Sequence, residues 1–242
     1  MDERAQRAVS EQMTFPGQVT LDGPSGTGKS SVARGVAARL GAAYLDTGAM
    51  YRAATVAVLD AGVDPSDAEG VARTVAGARI EVGTDAATET VRVDGVDVAA
   101  RIRGAEVTRA VSAVSAVPAV RRRLVDQQRT LVAEAGAVVV EGRDIGTVVL
   151  PDAALKVYLT AAPEARARRR AAQLGIRDES GIAELATDLR RRDEFDSSRA
   201  DSPLRPAADA IVVDSTELDQ QGVVDRVVAL AGSVVAAGGA RA

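Results

Sequence analysis

Residues 23–30 read GPSGTGKS, and no other stretch limits the possible folds of this chain as strongly. The octapeptide matches G-x-x-x-x-G-K-[ST]. Its glycines let backbone N–H groups approach an anion, Lys29 can span the β and γ phosphates of a nucleoside triphosphate, and Ser30 can ligate Mg²⁺. Such a loop needs a strand before it and a helix N-terminus after it, because the first helical N–H groups complete the phosphate cradle. Both flanks comply. QVTLD (18–22) reads as a buried strand, while Val32, Val36 and Leu40 recur at four-residue spacing, with Gly41 as a C-cap. The expected triphosphate contacts are therefore Gly23, Pro24, Ser25, Gly26, Thr27, Gly28, Lys29, Ser30 and Ser31.

Four more apolar runs repeat the strand signal: AAYLD (42–46), AVVVE (137–141), LKVYLT (155–160) and AIVVD (210–214). Helical patterns separate most of them, which predicts an α/β chain with a five-stranded parallel sheet flanked by helices. The last helix is expected from about Glu217 to Val235, with DST as its N-cap signal. Residues 79–98 break this rhythm by alternating apolar and polar residues around Gly and Asp-Gly turns, the pattern of a small antiparallel hairpin. The expected organisation is a polar extension at 1–17, with Met13 as an alternative start, followed by one domain at 18–242. Its core spans 18–61 and 105–236, a β insertion fills about 62–104, and an arginine-rich lid covers about 161–180.

Composition removes whole classes of chemistry. The chain has no Cys and no His, so disulfides, Ser-His-Asp hydrolysis and zinc sites are excluded. Apolar residues make up 46% but aromatics only 2%, so Val, Ala and Leu must fill the core. All but two of the 30 cations are Arg, and one of the two lysines stands where the phosphate loop needs it. A net charge of −4 argues against a general nucleic-acid binder. Without Asn, the chain cannot carry the Asn-Lys-x-Asp motif by which regulatory GTPases read guanine. It has no apolar run of membrane-spanning length and no signal-peptide pattern, which gives the expectation of a soluble cytoplasmic protein.

Three charged segments are candidates for the acceptor. LDTGAMYR (45–52) follows the second strand at its carboxyl end, where open parallel sheets place ligands, and puts Arg52 a turn or so into the next helix. VVVEGRDIGTVVLPD (138–152) ends a buried strand in Glu141, Arg143 and Asp144. Glu141 can organise water around Mg²⁺, Arg143 can bind phosphate, and Asp144 can accept from an exocyclic amine. LRRRDEFDSSR (189–199) spaces Arg192, Asp196 and Arg199 at i, i+4 and i+7, one face of a helix. APEARARRRAAQL (162–174) adds Arg166, Arg168, Arg169 and Arg170, either a solvated face or a lid that closes over transferring phosphates.

Taken in order, GPSGTGKS, LDTGAMYR, SAVSAVPAVR, EGRDIGTVV, the arginine-rich segment and RRDEFDSSRADSPLRPAADAIVVDST resemble the bacterial cytidylate kinases, within the nucleoside monophosphate kinases. The resemblance runs from about Val19 to the C-terminal helix, and the hairpin segment resembles the β-rich insertion of that family's monophosphate-binding region. It implies a P-loop NTPase-type fold and transfer of the γ-phosphoryl of Mg-ATP to CMP and dCMP, with ATP and Mg²⁺ as cofactors. Carried over by position, it implies that Ser112, Arg121 and Asp144 contact cytosine, that Arg192 and Asp196 meet the sugar hydroxyls, and that Arg52, Arg143 and Arg199 bind the monophosphate. Lys29, Arg143, Arg166, Arg170 and Arg192 are then the expected catalytic groups, with Ser30 on Mg²⁺ directly and Glu141 through water. Glu141 stands where many relatives carry Asp, and Ser115 is a second serine beside the favoured Ser112. The same resemblance implies a monomer that uses neither nucleic acid nor membrane. The alternatives are a P-loop kinase of UMP, AMP or another small acceptor, or a polynucleotide-stimulated ATPase using basic segments at 101–129 and 163–177.

Overall fold

A computed structural model describes residues 15–239. The expected extension therefore lies almost wholly outside the described residues, as does Met13. Phe15 does not behave as part of an extension: it is 1% exposed and packs in the core.

The five expected strands form one parallel sheet: β1 (Gln18–Asp22), β2 (Ala43–Asp46), the strand Val138–Glu141, the strand Leu155–Thr160 and the strand Ile211–Asp214. With a three-stranded sheet of β3 (Ile80–Val82), β4 (Val91–Val93) and β5 (Val96–Asp97) between them in the chain, the last three become β6, β7 and β8. The order is β2-β6-β1-β7-β8, which puts β1 in the middle. Helices cover both faces, so successive strand residues alternate between two buried cores. Val138 and Val140 join one cluster, while Val139 joins the other. At roughly 25 cal/mol per Å² of apolar area buried, these aliphatic faces supply the main stabilisation in place of aromatics.

The helices are α1 (Lys29–Leu40), α2 (Thr47–Asp60), α3 (Ala68–Gly77), α4 (Ala105–Ala116), α5 (Pro118–Ala135), α6 (Pro163–Leu174), α7 (Glu179–Ser197) and α8 (Gln220–Gly239). Gly41 ends α1 in the left-handed conformation, as its sequence position predicts.

Three expectations need correction. The segment at 79–98 is a three-stranded sheet rather than a hairpin. Asp94 (φ 51°) and Gly95 (φ 84°) make the two-residue turn between β4 and β5, and β3 joins across the sheet. The insertion also shares its core with α2, α4 and α5. The last helix starts at Gln220, because Asp219 accepts from Gly222 N–H and caps it. Asp214 is instead used in a local turn to Thr216. Finally, α7 stops at Ser197, where the Ser198 N–H donates to Glu194 O. Arg199 therefore lies beyond the helix and reaches the shared face by folding back onto Asp196.

Candidate active site

The loops after β1, β2 and β6 leave the sheet at one end, where they line a cleft of about 670 Å³ with α4 and the arginines of α6 and α7. That volume is in the range of about 300–1,000 Å³ typical of small-molecule sites. Strand register sets the geometry: Glu141 lies opposite Leu21 on one side and Asp46 on the other, so carboxylates from two strands stand level beside the phosphate loop.

The phosphate loop is held by its backbone. A Cβ on Gly23 would sit 2.0 Å from Leu159 O, so only glycine lets the loop leave β1 this close to β7. Gly28 caps α1 with no side-chain hydrogen bond, leaving the first-turn N–H groups of the helix for a ligand. Lys29 is buried and its Nζ donates to Pro24 O at 2.6 Å and to Thr27 Oγ1 at 3.4 Å. Burial, with Arg143 nearby, pushes its pKa well below the usual lysine value.

Glu141 is 4% exposed. The Tyr44 hydroxyl donates to its Oε1, Thr47 Oγ1 donates to its backbone oxygen at 2.7 Å, and Ser30 lines the same cleft. Burial and the Asp46 charge raise its pKa to about 7 against the opposing effects of Tyr44 and Lys29. Asp46 caps α2 by accepting from Ala49 N–H. The two residues expected to serve Mg²⁺, Ser30 and Glu141, are thus brought together. Among the described residues no three or more of His, Cys, Asp and Glu gather as a metal cluster. That donor set fits an ion held by a hydroxyl, phosphate oxygens and water.

At the other end the arginines converge. Arg121 and Asp144 form a buried ion pair at 2.5 Å, and Arg121 also donates to Ser115 O. Arg143 and Arg199 share Asp196, and Arg199 reaches Ser115 Oγ at 3.4 Å. Arg52 donates to Ile102 O and Thr108 Oγ1. Burial and neighbouring arginines, Arg192 foremost, lower its pKa to about 10. Burial also lowers Arg192, with Arg143 adding to the shift, and lowers Arg199. The Nε atoms of Arg121, Arg192 and Arg199 are buried without a hydrogen-bond partner. Ser112 lines the same cleft, so every residue expected to bind the acceptor meets there.

The arginine-rich segment divides by function. Arg166 is buried, pairs with Asp193 of α7 and donates to Ser25 O at 3.0 Å, so it braces the phosphate loop. Arg169 holds the carbonyls of Ser215 and Leu218, Arg168 is exposed, and Arg170 lines the cleft. In the basic segment at 101–129, Arg121 is buried, Arg123 donates to Ala78 O and Arg129 to Val148 O and Val149 O, while Arg101, Arg103, Arg109 and Arg122 are exposed. Sequence reasoning missed Asp193, Asp22, Tyr44 and Asp46. An acid next to an arginine carries no distinguishing signal, and a tyrosine inside a strand reads as core.

A sequence model described as cytidylate kinase matches residues 19–233. A cytidylate kinase of Rhodococcus opacus is 59% identical over 209 residues, covering 86% of this chain and 91% of that protein. One of Nocardia farcinica is 55% identical over 225 residues, covering 92% and 97%. One of Rhodococcus jostii is 55% identical over 221 residues, covering 91% and 96%.

Proposed function

Because this chain belongs to the cytidylate kinase family, and so transfers the γ-phosphoryl of ATP to CMP, we propose the following division of labour within its cleft. The observation that carries it is the set of buried arginine Nε atoms without partners, in a cleft where arginines depress one another's pKa. Such a site is short of negative charge and of acceptors, and two phosphate groups supply both.

Residues 23–31 hold the phosphates of ATP, with Lys29 swinging from Pro24 O to the transferring group. Ser30 would hold Mg²⁺ directly and Glu141 through water. When bound, Mg²⁺ neutralises charge on the β and γ phosphates. Arg52, Arg143 and Arg199 take the acceptor phosphate, and Arg192 with Asp196 takes the sugar hydroxyls. Ser112, Arg121 and Asp144 read cytosine. A phosphate monoester is already ionised near neutral pH, so attack needs no histidine base and mostly needs two repelling anions held in line. Asp144 accepts from the cytosine N4 amine, whereas uracil would turn its O4 acceptor toward the same carboxylate. Arg170 and Arg192 reach the transferring group as α6 and α7 close, which limits hydrolysis. The same reading extends to dCMP, which keeps the base and phosphate contacts. The same reading takes the enzyme as a monomer. The proposal places the reaction in the cytoplasm, where ATP and nucleoside monophosphates are metabolised.

ADP formation with CMP, dCMP, UMP, AMP, GMP or no acceptor, each with Mg-ATP, tests this reading. Fast release with CMP and dCMP, weak release with UMP and little without acceptor is expected. A preference for another monophosphate would overturn the base and sugar assignments.

A further inference from the structure

Asp22 is the last residue of β1, directly before the phosphate loop, and takes no part in the chemistry above. It is 4% exposed. Its two carboxylate oxygens accept separately, Oδ1 from Ile145 N–H and Oδ2 from Gly146 N–H, each at 2.8 Å. Those amides open the short helical turn Ile145–Val149, immediately after Arg143 and Asp144. One side chain at the root of the donor loop therefore holds the segment that carries two acceptor contacts. The fit is close: a Cβ on Gly146 would stand 3.0 Å from Thr20 Oγ1 and 3.3 Å from Asp22 Oδ2.

We infer that Asp22 is a positioning residue for acceptor recognition, its carboxylate clamping residues 142–149 so that Arg143 and Asp144 keep a fixed place relative to the phosphate loop. The inference rests on the assignment of Arg143 and Asp144 to the acceptor. A carboxylate is the side chain that can accept from both amides. Asn offers one oxygen and sets an NH₂ group against the second N–H, leaving a buried donor unsatisfied. The donor loop has independent supports, since Gly23 fixes its exit and Asp193 accepts from Ser25 N–H at 3.2 Å. Loss of the clamp should therefore fall on the acceptor.

The test compares wild type with Asp22→Asn and with Gly146→Ala, which crowds the same carboxylate oxygen. Amide hydrogen exchange and steady-state kinetics are measured on each. In Asp22→Asn, exchange at Ile145 and Gly146 should accelerate locally and KM for CMP should rise about tenfold, as small misplacements of binding groups do. The CMP-to-UMP ratio of kcat/KM should fall while KM for ATP stays within about twofold. Gly146→Ala should show a milder form of the same pattern. Unchanged local exchange, or KM values for ATP and CMP rising together, would overturn the clamp. Faster local exchange with unchanged acceptor kinetics would also overturn it, and Arg143→Ala then tells the two failures apart. If that variant binds CMP normally, the acceptor assignment is wrong; if it loses CMP affinity, only the clamp is. Should Asp22→Asn not fold, wild type still decides. Its Ile145 and Gly146 amides should exchange as slowly as those pairing β1 with β6, and exchange at loop rates would refute the inference.

Discussion

The two ends of the cleft are built in opposite ways. The donor end is one continuous octapeptide, Gly23 to Ser30, whose shape comes from glycine backbone and a helix start. The acceptor end is gathered from α2, α4, α5, the loop after β6 and the C-terminal end of α7. Side-chain ion pairs align it: Arg121 with Asp144, Arg143 with Asp196, and Arg199 with Asp196. A backbone cradle binds any triphosphate of the right geometry. A set of paired side chains can discriminate, because exchanging one partner changes which ligand group is left unpaired.

That contrast can be broken by substitution. Lys29→Ala should have the largest effect, lowering kcat about 10³-fold by removing a charge aimed at the transferring phosphate. Thermal unfolding should show an intact fold, and retention of full turnover would refute the donor-end role. Next comes Arg199→Ala, which should raise KM for CMP by about 10- to 100-fold while KM for ATP stays nearly constant. Equal changes in both would mean that the two ends are not separable. The smallest effect concerns pH. Burial, reinforced by Asp144, raises the Asp22 pKa to about 6 from its ordinary value of 3.8. A carboxyl with a raised folded pKa contributes stability that is present below its unfolded pKa and lost as pH rises through the folded value. The stability difference between wild type and Asp22→Asn should therefore shift against wild type from about pH 4 to pH 6 and level off above. A pH-independent difference would contradict it.

The same contrast explains what could be read from the sequence. The parallel strands were legible because period and burial are local properties of each run. The phosphate loop was legible because its ligand contacts lie within eight consecutive residues. Arg52, Arg143 and Arg199 could be named individually, but their convergence depends on a β2-β6-β1-β7-β8 order that no local pattern encodes. Asp193 and Asp22 act on residues far along the chain, Ser25 and Ile145, and so gave no spacing signal. The start of α8 was misplaced because DST and the later Asp219 offer equal capping chemistry, but Ser215 and Thr216 are tied to Thr160 O, Arg169 and Ala162 N–H, and Asp219 caps the helix. Arg166 read as a lid arginine, yet its buried pairing with Asp193 makes it a brace for the donor loop.

The most direct measurement of the account is the ratio of kcat/KM for CMP to that for UMP in wild type and in Asp144→Asn. The asparagine keeps the shape beside Arg121 but can turn an amide donor toward uracil O4. The ratio should fall by about 10- to 100-fold with KM for ATP little changed, a discrimination of the size lost when a polar recognition group is altered. An unchanged ratio would contradict the central claim that this acceptor end, through Asp144, selects the base.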